Sequence, residues 1–217
     1  MFSGGKAPGN DGLTTDFYKG FWNLLGHQPT DALNYSYAHG ELSNSQKQAT
    51  IRLIDKKDRD RRYIKNWQPI SLLNVDVKIA SKALTILLLK VLPEIIQVDQ
   101  YASLSKAERY LMRFAQLTIS WNTPKLNKYL VAFDFEKALD SLSWTFLFKA
   151  LNSFNFGKSF ISWVSALYSN ISSCILNNGF STQMFDACRG VRQGDPLSAY
   201  LFIISLELLL ITVTIRT

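Results

Sequence analysis

The chain has 217 residues, 47% of them hydrophobic, which is enough to bury the core of one domain and excludes an intrinsically disordered protein. With two cysteines it is neither a disulfide-rich scaffold nor a zinc ribbon, and we expect two reduced, buried thiols. The formal net charge is +7, and more than half of it lies in one segment. Because the N-terminus lacks the apolar segment of a signal peptide, we expect an intracellular protein, nuclear or cytoplasmic.

The hydrophobic pattern predicts a helical N-terminal region followed by strands that alternate with helices, which is typical of an α+β or α/β fold. In chain order, the predicted helices are Thr14–Leu25, Thr30–His39, Asp76–Ile96, Lys106–Ser120, Ser143–Phe154, Ser159–Ser169 and one after Pro196. The predicted strands are Ala49–Ile54, Trp67–Leu73, Tyr129–Phe135, and a hairpin of Ser173–Leu176 with Thr182–Ala187 around Asn177-Asn-Gly.

The last predicted helix is close in length to a membrane span, because Leu197 to Ile215 is almost entirely apolar. Glu207 would then lie near the bilayer centre at a cost of about 3 kcal/mol. A helix buried inside a domain satisfies the same pattern without that cost. We therefore predict a buried helix and no membrane partner.

The positive charge is concentrated between Ile51 and Lys65, where seven basic and three acidic residues give a local charge of +4. Such a segment suits a loop that contacts phosphates, because each neutralised phosphate releases counterions. A solvated hairpin of alternating charge that binds nothing fits the composition equally well. The candidate nucleic-acid contacts are Arg59, Arg61, Arg62 and Lys65.

Asp134 ends the predicted strand in Leu130-Val-Ala-Phe-Asp134-Phe-Glu-Lys-Ala-Leu-Asp140. A carboxylate on rigid backbone at the end of a strand is a suitable ligand for a hard divalent cation such as Mg²⁺. Nucleotidyl transfer in polymerases uses two such ions, one activating the attacking hydroxyl and one holding the triphosphate. The structural alternative is that Asp134 caps a helix beginning near Glu136.

The segment Gly190-Val-Arg-Gln-Gly-Asp-Pro-Leu-Ser198 combines two glycines, which allow the backbone to approach a ligand closely, with an amide and a guanidinium. Its proline favours the first turn of a helix. We expect Asp195 and Ser198 to cap that helix.

These two segments resemble the first catalytic block and the nucleotide-binding block of reverse transcriptases of the non-LTR (LINE-type) retrotransposons. Further upstream, Lys6-Ala-Pro-Gly-Asn-Asp-Gly-Leu-Thr resembles the N-terminal block of these enzymes. Leu53-Ile-Asp-Lys-Lys and Trp67-Gln-Pro-Ile-Ser-Leu-Leu resemble the two strands of the fingers hairpin that grips the triphosphate. The resemblance covers nearly the whole chain and is weakest from Tyr101 to Lys128.

The resemblance implies the right-handed polymerase architecture, with the N-terminal block and fingers in residues 1–100 and an incomplete palm in residues 101–217. It implies RNA-templated extension of a DNA 3′ end from deoxynucleoside triphosphates, with Mg²⁺ held by Asp134 and the backbone carbonyl of Phe135. An RNA template and a DNA primer are the implied partners. The implied nucleotide-binding residues are Lys56, Lys57, Gln68, Leu139, Arg192, Gln193 and Gly194.

Several departures from the family pattern weaken the expectation of catalysis. Gln68 stands where the family usually has an arginine, which removes a fixed charge from the triphosphate grip. Leu139 stands where an aromatic side chain usually excludes the ribose 2′-hydroxyl. The paired aspartates of the third catalytic block and the thumb are absent from the sequence, so we expect no polymerase activity from this chain alone. A nucleic-acid-binding remnant or a non-functional remnant of a retrotransposon are the alternatives.

Overall fold

The computed structural model describes residues 4–57, 59–96, 116–123, 126–134 and 137–215, of which 116–134 and 213–215 are described as backbone only. The helices are α1 (Thr15–Leu25), α2 (His27–His39), α3 (Asn44–Lys47), α4 (Val75–Ile95), α5 (Ala138–Ser141), α6 (Trp144–Ser153), α7 (Lys158–Tyr168) and α8 (Ser198–Ile215). The strands are β1 (Gln48–Asp55), β2 (Trp67–Leu72), β3 (Gln116–Thr123), β4 (Leu126–Asp134), β5 (Ser172–Asn177), β6 (Phe180–Ser181) and β7 (Phe185–Asp186). The protein is therefore a mixture of helices and β-sheet, as the hydrophobic pattern predicts.

Side chains at the helix ends explain where several helices begin and end. The Thr14 hydroxyl accepts the N–H of Phe17 at 3.1 Å and caps α1. Ser43 and Gln46 form a capping box at α3, in which each side chain accepts the other residue's backbone N–H. Helix α2 ends at Gly40, whose φ of +71° is the left-handed conformation that glycine adopts at low cost.

The chain divides into two compact units. The first unit comprises Met1–Thr85, Phe156–Cys188 and Arg192–Ser198. The second unit comprises Ile86–Asn155, Arg189–Val191 and Ala199–Thr217.

The first unit is built on a sheet with the strand order β2-β1-β5-β6, and β7 also pairs with β5. Strands β1 and β2 are antiparallel, with Ile51 opposite Ser71. Strands β1 and β5 are parallel, with Thr50 opposite Cys174. Among the described strands, β2 lies at the end of this order, so one of its edges is not paired with another strand of the sheet.

The predicted turn at Asn177-Asn-Gly is confirmed by the pairing of β5 with β6. The return strand predicted over Thr182–Ala187 is wrong in part, because only Phe185–Asp186 of that range forms a strand, β7, and the residues that pair next to the turn are Phe180–Ser181. Asn178 and Gly179 have φ angles of +50° and +84°. A two-residue turn with positive φ at both positions matches the twist of the flanking strands, and Asn-Gly is the sequence that it favours.

Most of the buried apolar side chains of the first unit lie on its helices. Helices α2 and α7 meet through the stacked rings of Tyr37 and Trp163, whose centroids are 4.9 Å apart. The buried apolar side chains of this unit include Leu33, Leu42, Ala49, Leu73, Val77, Leu84, Val164, Leu167 and Ile171. Burial of these side chains supplies most of the free energy that stabilises the unit.

The second unit contains the antiparallel hairpin of β3 and β4, in which Gln116 lies opposite Asp134. Its buried apolar side chains include Leu88, Leu92, Leu142, Leu147, Leu151, Leu201 and Ile204. Glu207, on α8, is 1% exposed. Within the described ranges, no helix is long and apolar enough to cross a membrane.

Two further sequence predictions are wrong in part. The helix predicted over Lys106–Ser120 is wrong from Gln116 onward, where the backbone forms β3. Gln116–Thr123 alternates apolar and polar residues, is rich in Thr, Ile and Trp, and pairs with β4. Residues 106–115 lie outside the described residues. Of the two thiols predicted to be buried, Cys188 is exposed and Cys174 is half-buried, and neither forms a disulfide.

Candidate nucleotide and nucleic-acid site

The nucleotide-binding block predicted from sequence lies against the free edge of β2. The backbone N–H of Ser71 donates to the carbonyl of Gln193 at 2.8 Å. This bond gives the edge N–H of Ser71 a hydrogen-bond partner and holds the loop that precedes α8 beside β2. The structure therefore brings Gln193 and Gly194 together with the strand that carries Gln68.

Gly194 is required at its position for two reasons. Its φ is +103°, a conformation that other residues rarely adopt. A Cβ atom on this residue would lie 2.9 Å from the carbonyl oxygen of Ser71 and 3.5 Å from Cγ2 of Ile70. Only glycine lets the loop approach the sheet this closely.

The side chain of Arg192 turns into the first unit and is 8% exposed. Its Nη2 donates to the backbone carbonyl of Lys47, at the junction of α3 and β1. Burial lowers the pKa of Arg192, and the neighbouring Tyr168 and Asp195 oppose this shift. The predicted role of Arg192 as a nucleotide ligand remains a prediction, and the observed contacts are with the protein itself.

Asp195 forms a turn just before α8. Its Oδ1 accepts the N–H of Leu197 at 3.3 Å. Leu197 precedes the first residue of α8, so this bond closes the turn, and the predicted role of Asp195 as a helix cap stays a prediction. Burial raises the pKa of Asp195, while the Ser81 hydroxyl, the Leu197 N–H and the charges of Arg192 and Lys78 lower it. The hydroxyl of Ser198 lies 3.3 Å from that of Tyr168, so this predicted cap residue contacts α7.

A groove of about 480 Å³ lies on one face of the sheet in the first unit. Arg52 is exposed in this groove, and its cross-strand neighbours are Ile70 on β2 and Leu176 on β5. The groove is lined by Ala7, Arg52, Leu53, Ile54, Trp67, Ile70, Leu72, Leu176, Asn177 and Asn178. Among the described residues, the Arg52 side chain has no ion-pair partner. It is therefore an exposed cation on a surface whose other side chains are apolar except for Asn177 and Asn178.

Gln68 lies on β2 directly opposite Ile54 of β1. Side chains alternate between the two faces of a strand, so Gln68 shares the face of Ile70, which lies next to Gly194. The predicted nucleotide-binding residue Gln68 is therefore on the same side of the sheet as the groove.

The basic loop between β1 and β2 is held together by its own polar contacts. The Lys56 N–H donates to the carbonyl of Asn66 at 2.9 Å, and the indole N–H of Trp67 donates to that of Arg61 at 2.9 Å. The Nζ of Lys56 donates to the carbonyl of Lys65 at 3.2 Å. These bonds give a highly charged segment a defined backbone conformation.

Two of the predicted nucleic-acid-binding arginines form ion pairs within the loop. Arg61 lies 2.6 Å from Asp55, and Arg62 lies 2.8 Å from Asp60. The arginine side chains are 73% and 85% exposed, so water screens both pairs and they add little to stability. Both guanidinium groups remain accessible to a stronger anion such as phosphate.

The other cations of the loop have fewer internal contacts. The Lys65 ammonium lies 5.5 Å from the centre of the Tyr63 ring. Lys57 and Arg59 are exposed, and their side chains form no ion pair within the described part of the chain. Together with Lys56, they make the loop a positively charged projection beside the groove.

Asp134, the predicted catalytic residue, is the last residue of β4 in the second unit. Phe135 lies outside the described residues. The following helix, α5, begins at Ala138 after Lys137, which has a φ of +53° and serves as its N-cap. The residue at the N-cap position of α5 is therefore Lys137.

The segment that follows Asp134 is bonded to the start of the nucleotide-binding block. The carbonyl of Leu139 accepts the N–H of Val191 at 2.8 Å, and the carbonyl of Leu142 accepts that of Gly190 at 2.7 Å. The indole N–H of Trp144 donates to the carbonyl of Gly190 at 2.8 Å. The sequence analysis missed Trp144, because its partner lies 46 residues away and no local pattern indicates the contact.

The described residues do not make up a complete metal site. Over the ranges that the structure describes, no three His, Cys, Asp or Glu side chains lie close enough to hold one ion. A two-metal site needs several carboxylate ligands, and Asp134 alone cannot supply them.

Comparison with known proteins identifies the family. Residues 54–214 match the model of the reverse transcriptase (RNA-dependent DNA polymerase) family, which is most of the chain. The chain belongs to this family. Reverse transcriptases act on a nucleic-acid template and primer with nucleotide substrates and generally use divalent metal ions.

Individual relatives of this reverse transcriptase chain are proteins of mobile elements. It is 35% identical over 210 residues to the Transposon TX1 uncharacterized 149 kDa protein of Xenopus laevis, covering 93% of the chain. It is 36% identical over 84 residues, 39% of the chain, to the Retrovirus-related Pol polyprotein from type-2 retrotransposable element R2DM of Drosophila melanogaster. Over 210 residues, 91% of the chain, it is 25% identical to the corresponding polyprotein from type-1 retrotransposable element R2 of Popillia japonica. The chain spans 16%, 8% and 27% of the lengths of these relatives.

Proposed function

We propose that this chain forms the template- and nucleotide-contacting part of a reverse transcriptase, with the fingers and part of the palm of a right-handed polymerase. The reaction it serves is RNA-templated extension of a DNA 3′ end from deoxynucleoside triphosphates. The observation that carries the proposal is the docking of Gln193 and Gly194 on the edge of β2, beside a groove of nucleotide size. The proposed location of the protein is inside the cell, in the nucleus or the cytoplasm.

The chemistry of the groove and the basic loop suits a nucleic-acid strand. Apolar side chains such as Ile70 and Leu176 offer contact area to a base or sugar, and Arg52 offers a charge to a phosphate. The cations of the loop, Lys57 and Arg59 among them, extend this positive surface. Phosphate contacts of this kind position a strand without reading its sequence, as a copying enzyme requires.

Asp134 is assigned the role of a divalent-metal ligand, with Mg²⁺ as the ion, and the backbone carbonyl of Phe135 is assigned to the same ion. One observation supports the assignment of Asp134: it ends β4, so its backbone is held by pairing with β3. When bound, the metal would activate the primer hydroxyl and hold the triphosphate.

Binding is tested by fluorescence anisotropy of a labelled DNA primer annealed to an RNA template, titrated with the full chain at several salt concentrations. Lys57→Ala and Arg59→Ala are each expected to weaken binding and to lower the salt slope by about one. The matched control is Lys158→Ala, which removes the same charge from an exposed position on α7 and should leave the slope unchanged. Absence of salt-dependent binding by the unaltered chain would overturn the proposal.

Chemistry is tested separately by primer extension with Mg²⁺ and deoxynucleoside triphosphates. Any templated incorporation should be lost in Asp134→Asn, because an amide is a poor ligand for Mg²⁺. Binding without extension would favour the second candidate function, a nucleic-acid-binding protein without catalysis. That candidate is supported by the exposed cations of the basic loop, Lys57 and Arg59 among them.

A further inference from the structure

The loop from Arg192 to Ser198 is attached to the first unit at three places. At its start, the Arg192 guanidinium donates to the carbonyl of Lys47. One residue later, the Ser71 N–H donates to the carbonyl of Gln193 at 2.8 Å. At its end, the Ser198 hydroxyl lies 3.3 Å from that of Tyr168. The backbone between these places has little freedom to move relative to the sheet.

The first of these attachments differs from the others because it uses a buried charge. Arg192 is 8% exposed, and a guanidinium is retained in such a position only when hydrogen bonds and opposite charge offset its lost hydration. Here the Lys47 carbonyl accepts the hydrogen bond, and Asp195, three residues along the same loop, provides the opposite charge. The Asp195 N–H also donates to the Arg192 carbonyl at 3.2 Å, which closes the turn.

The direction of the side chain separates Arg192 from its neighbours in the block. Gly194 faces Ser71 and Ile70, beside the groove, whereas the Arg192 guanidinium reaches the end of α3. A buried guanidinium that is bonded to a main-chain carbonyl is unavailable to a triphosphate unless the loop leaves the sheet.

We propose that Arg192 is a positioning residue, which holds Gln193 and Gly194 against β2 and does not itself touch the nucleotide. The statement that this loop contacts a nucleotide rests on the proposed function. The anchoring of the loop by Arg192 is argued only from contacts within the first unit. It assigns the block two tasks: Arg192 anchors the loop, and the two residues that follow it present their backbone to the nucleotide.

The anchoring role is tested by hydrogen exchange of the peptide that contains Ser71, measured by mass spectrometry on the full chain. Arg192→Met should accelerate exchange of the Ser71 amide about tenfold or more, the change expected from loss of one hydrogen bond to a charged group. Arg192→Lys, which keeps the charge and one donor, should restore part of the protection. The matched control is Arg189→Met, at an exposed position, which should leave exchange unchanged.

Unchanged exchange of the Ser71 amide in folded Arg192→Met would overturn the anchoring role. If Arg192→Met does not fold, Arg192→Gln, which keeps an N–H donor without the charge, is measured instead under the same criterion. This measurement needs no nucleic acid, so it decides the anchoring role even if the chain fails to bind a primer and template.

The second part of the proposal is tested with a primer ended by a dideoxynucleotide, so that the next complementary deoxynucleoside triphosphate can bind but not react. In the unaltered chain, the complementary nucleotide should raise the affinity for primer and template. Arg192→Met should reduce this gain in affinity about tenfold or more, while the dependence of binding on salt stays as in the unaltered chain. Arg192→Lys should recover part of this retention. A salt slope lowered by about one in Arg192→Met would show a direct phosphate contact and overturn the proposal.

Discussion

Replacement of Gly194 by alanine should destabilise the first unit, because this glycine has a positive φ and its Cα lies close to the backbone of β2. The φ of +103° imposes strain of about 1–3 kcal/mol on a residue with a Cβ atom. That atom would also lie 2.9 Å from the Ser71 carbonyl oxygen, so the loop must move away from β2. Loss of the bond from Ser71 to Gln193 adds about 0.5–1.5 kcal/mol, which gives a total of about 1.5–4.5 kcal/mol.

The assay is urea unfolding followed by tryptophan fluorescence, with the same substitution at Gly20 as the control. Gly20 lies on an exposed part of α1, and a Cβ atom there would meet nothing within 4 Å. Gly20→Ala should therefore stabilise the helix by about 0.5–1 kcal/mol. With an m-value of about 2 kcal/mol per M, a loss of about 3 kcal/mol in Gly194→Ala lowers the urea midpoint by about 1.5 M.

A midpoint for Gly194→Ala equal to or above that of the unaltered chain would refute this reasoning. It would mean that the loop is not held against β2, and the proposed nucleotide site would lose its main support. A lower midpoint in Gly20→Ala would instead indicate that α1 does not have the exposed helical geometry described for it.

Three further outcomes are expected. Trp144→Phe should lower the free energy of unfolding by about 1 kcal/mol or more in the same urea assay, because phenylalanine has a smaller aromatic ring and cannot donate the N–H bond to Gly190. Gly9→Ala should increase proteolysis of the N-terminal segment, because a Cβ atom would lie 2.2 Å from Oδ1 of Asn74; unaltered digestion would contradict the packing. Burial and two nearby aspartates raise the pKa of Tyr18 from 10.0 to about 12, so the folded chain keeps a proton that the unfolded chain loses. Stability present below pH 10 should thus fall as the pH rises to 12, and Tyr18→Phe should remove this part of the pH dependence of the urea midpoint.

Local sequence patterns predicted the elements whose conformation is decided by residues close together in the chain. The alternation of residues in Ala49–Ile54 predicts β1, and Asn177-Asn-Gly predicts the turn that follows β5. Asp134 was correctly expected at the end of a strand. In each case the hydrophobic period or the turn residues act within a few positions of the chain.

Contacts between distant parts of the chain were not predictable in this way. Arg192 is chemically suited to a phosphate, and its burial depends on a carbonyl 145 residues away. The helix predicted over Lys106–Ser120 was wrong from Gln116 onward, because pairing with β4 decides the conformation there. Helical and strand patterns compete in such short stretches, and tertiary pairing then overrides local propensity.

The parallel pairing of β1 with β5 has a consequence for how the protein forms during synthesis. Thr50 and its neighbour Cys174 are 124 residues apart, and closing a loop of that length costs about 4 kcal/mol of chain entropy. The hairpin of β1 and β2 is marginal by itself, so it gains lasting support only after β5 has left the ribosome. Until then the nascent chain exposes apolar strands, which predicts slow folding and a requirement for chaperones in the cell.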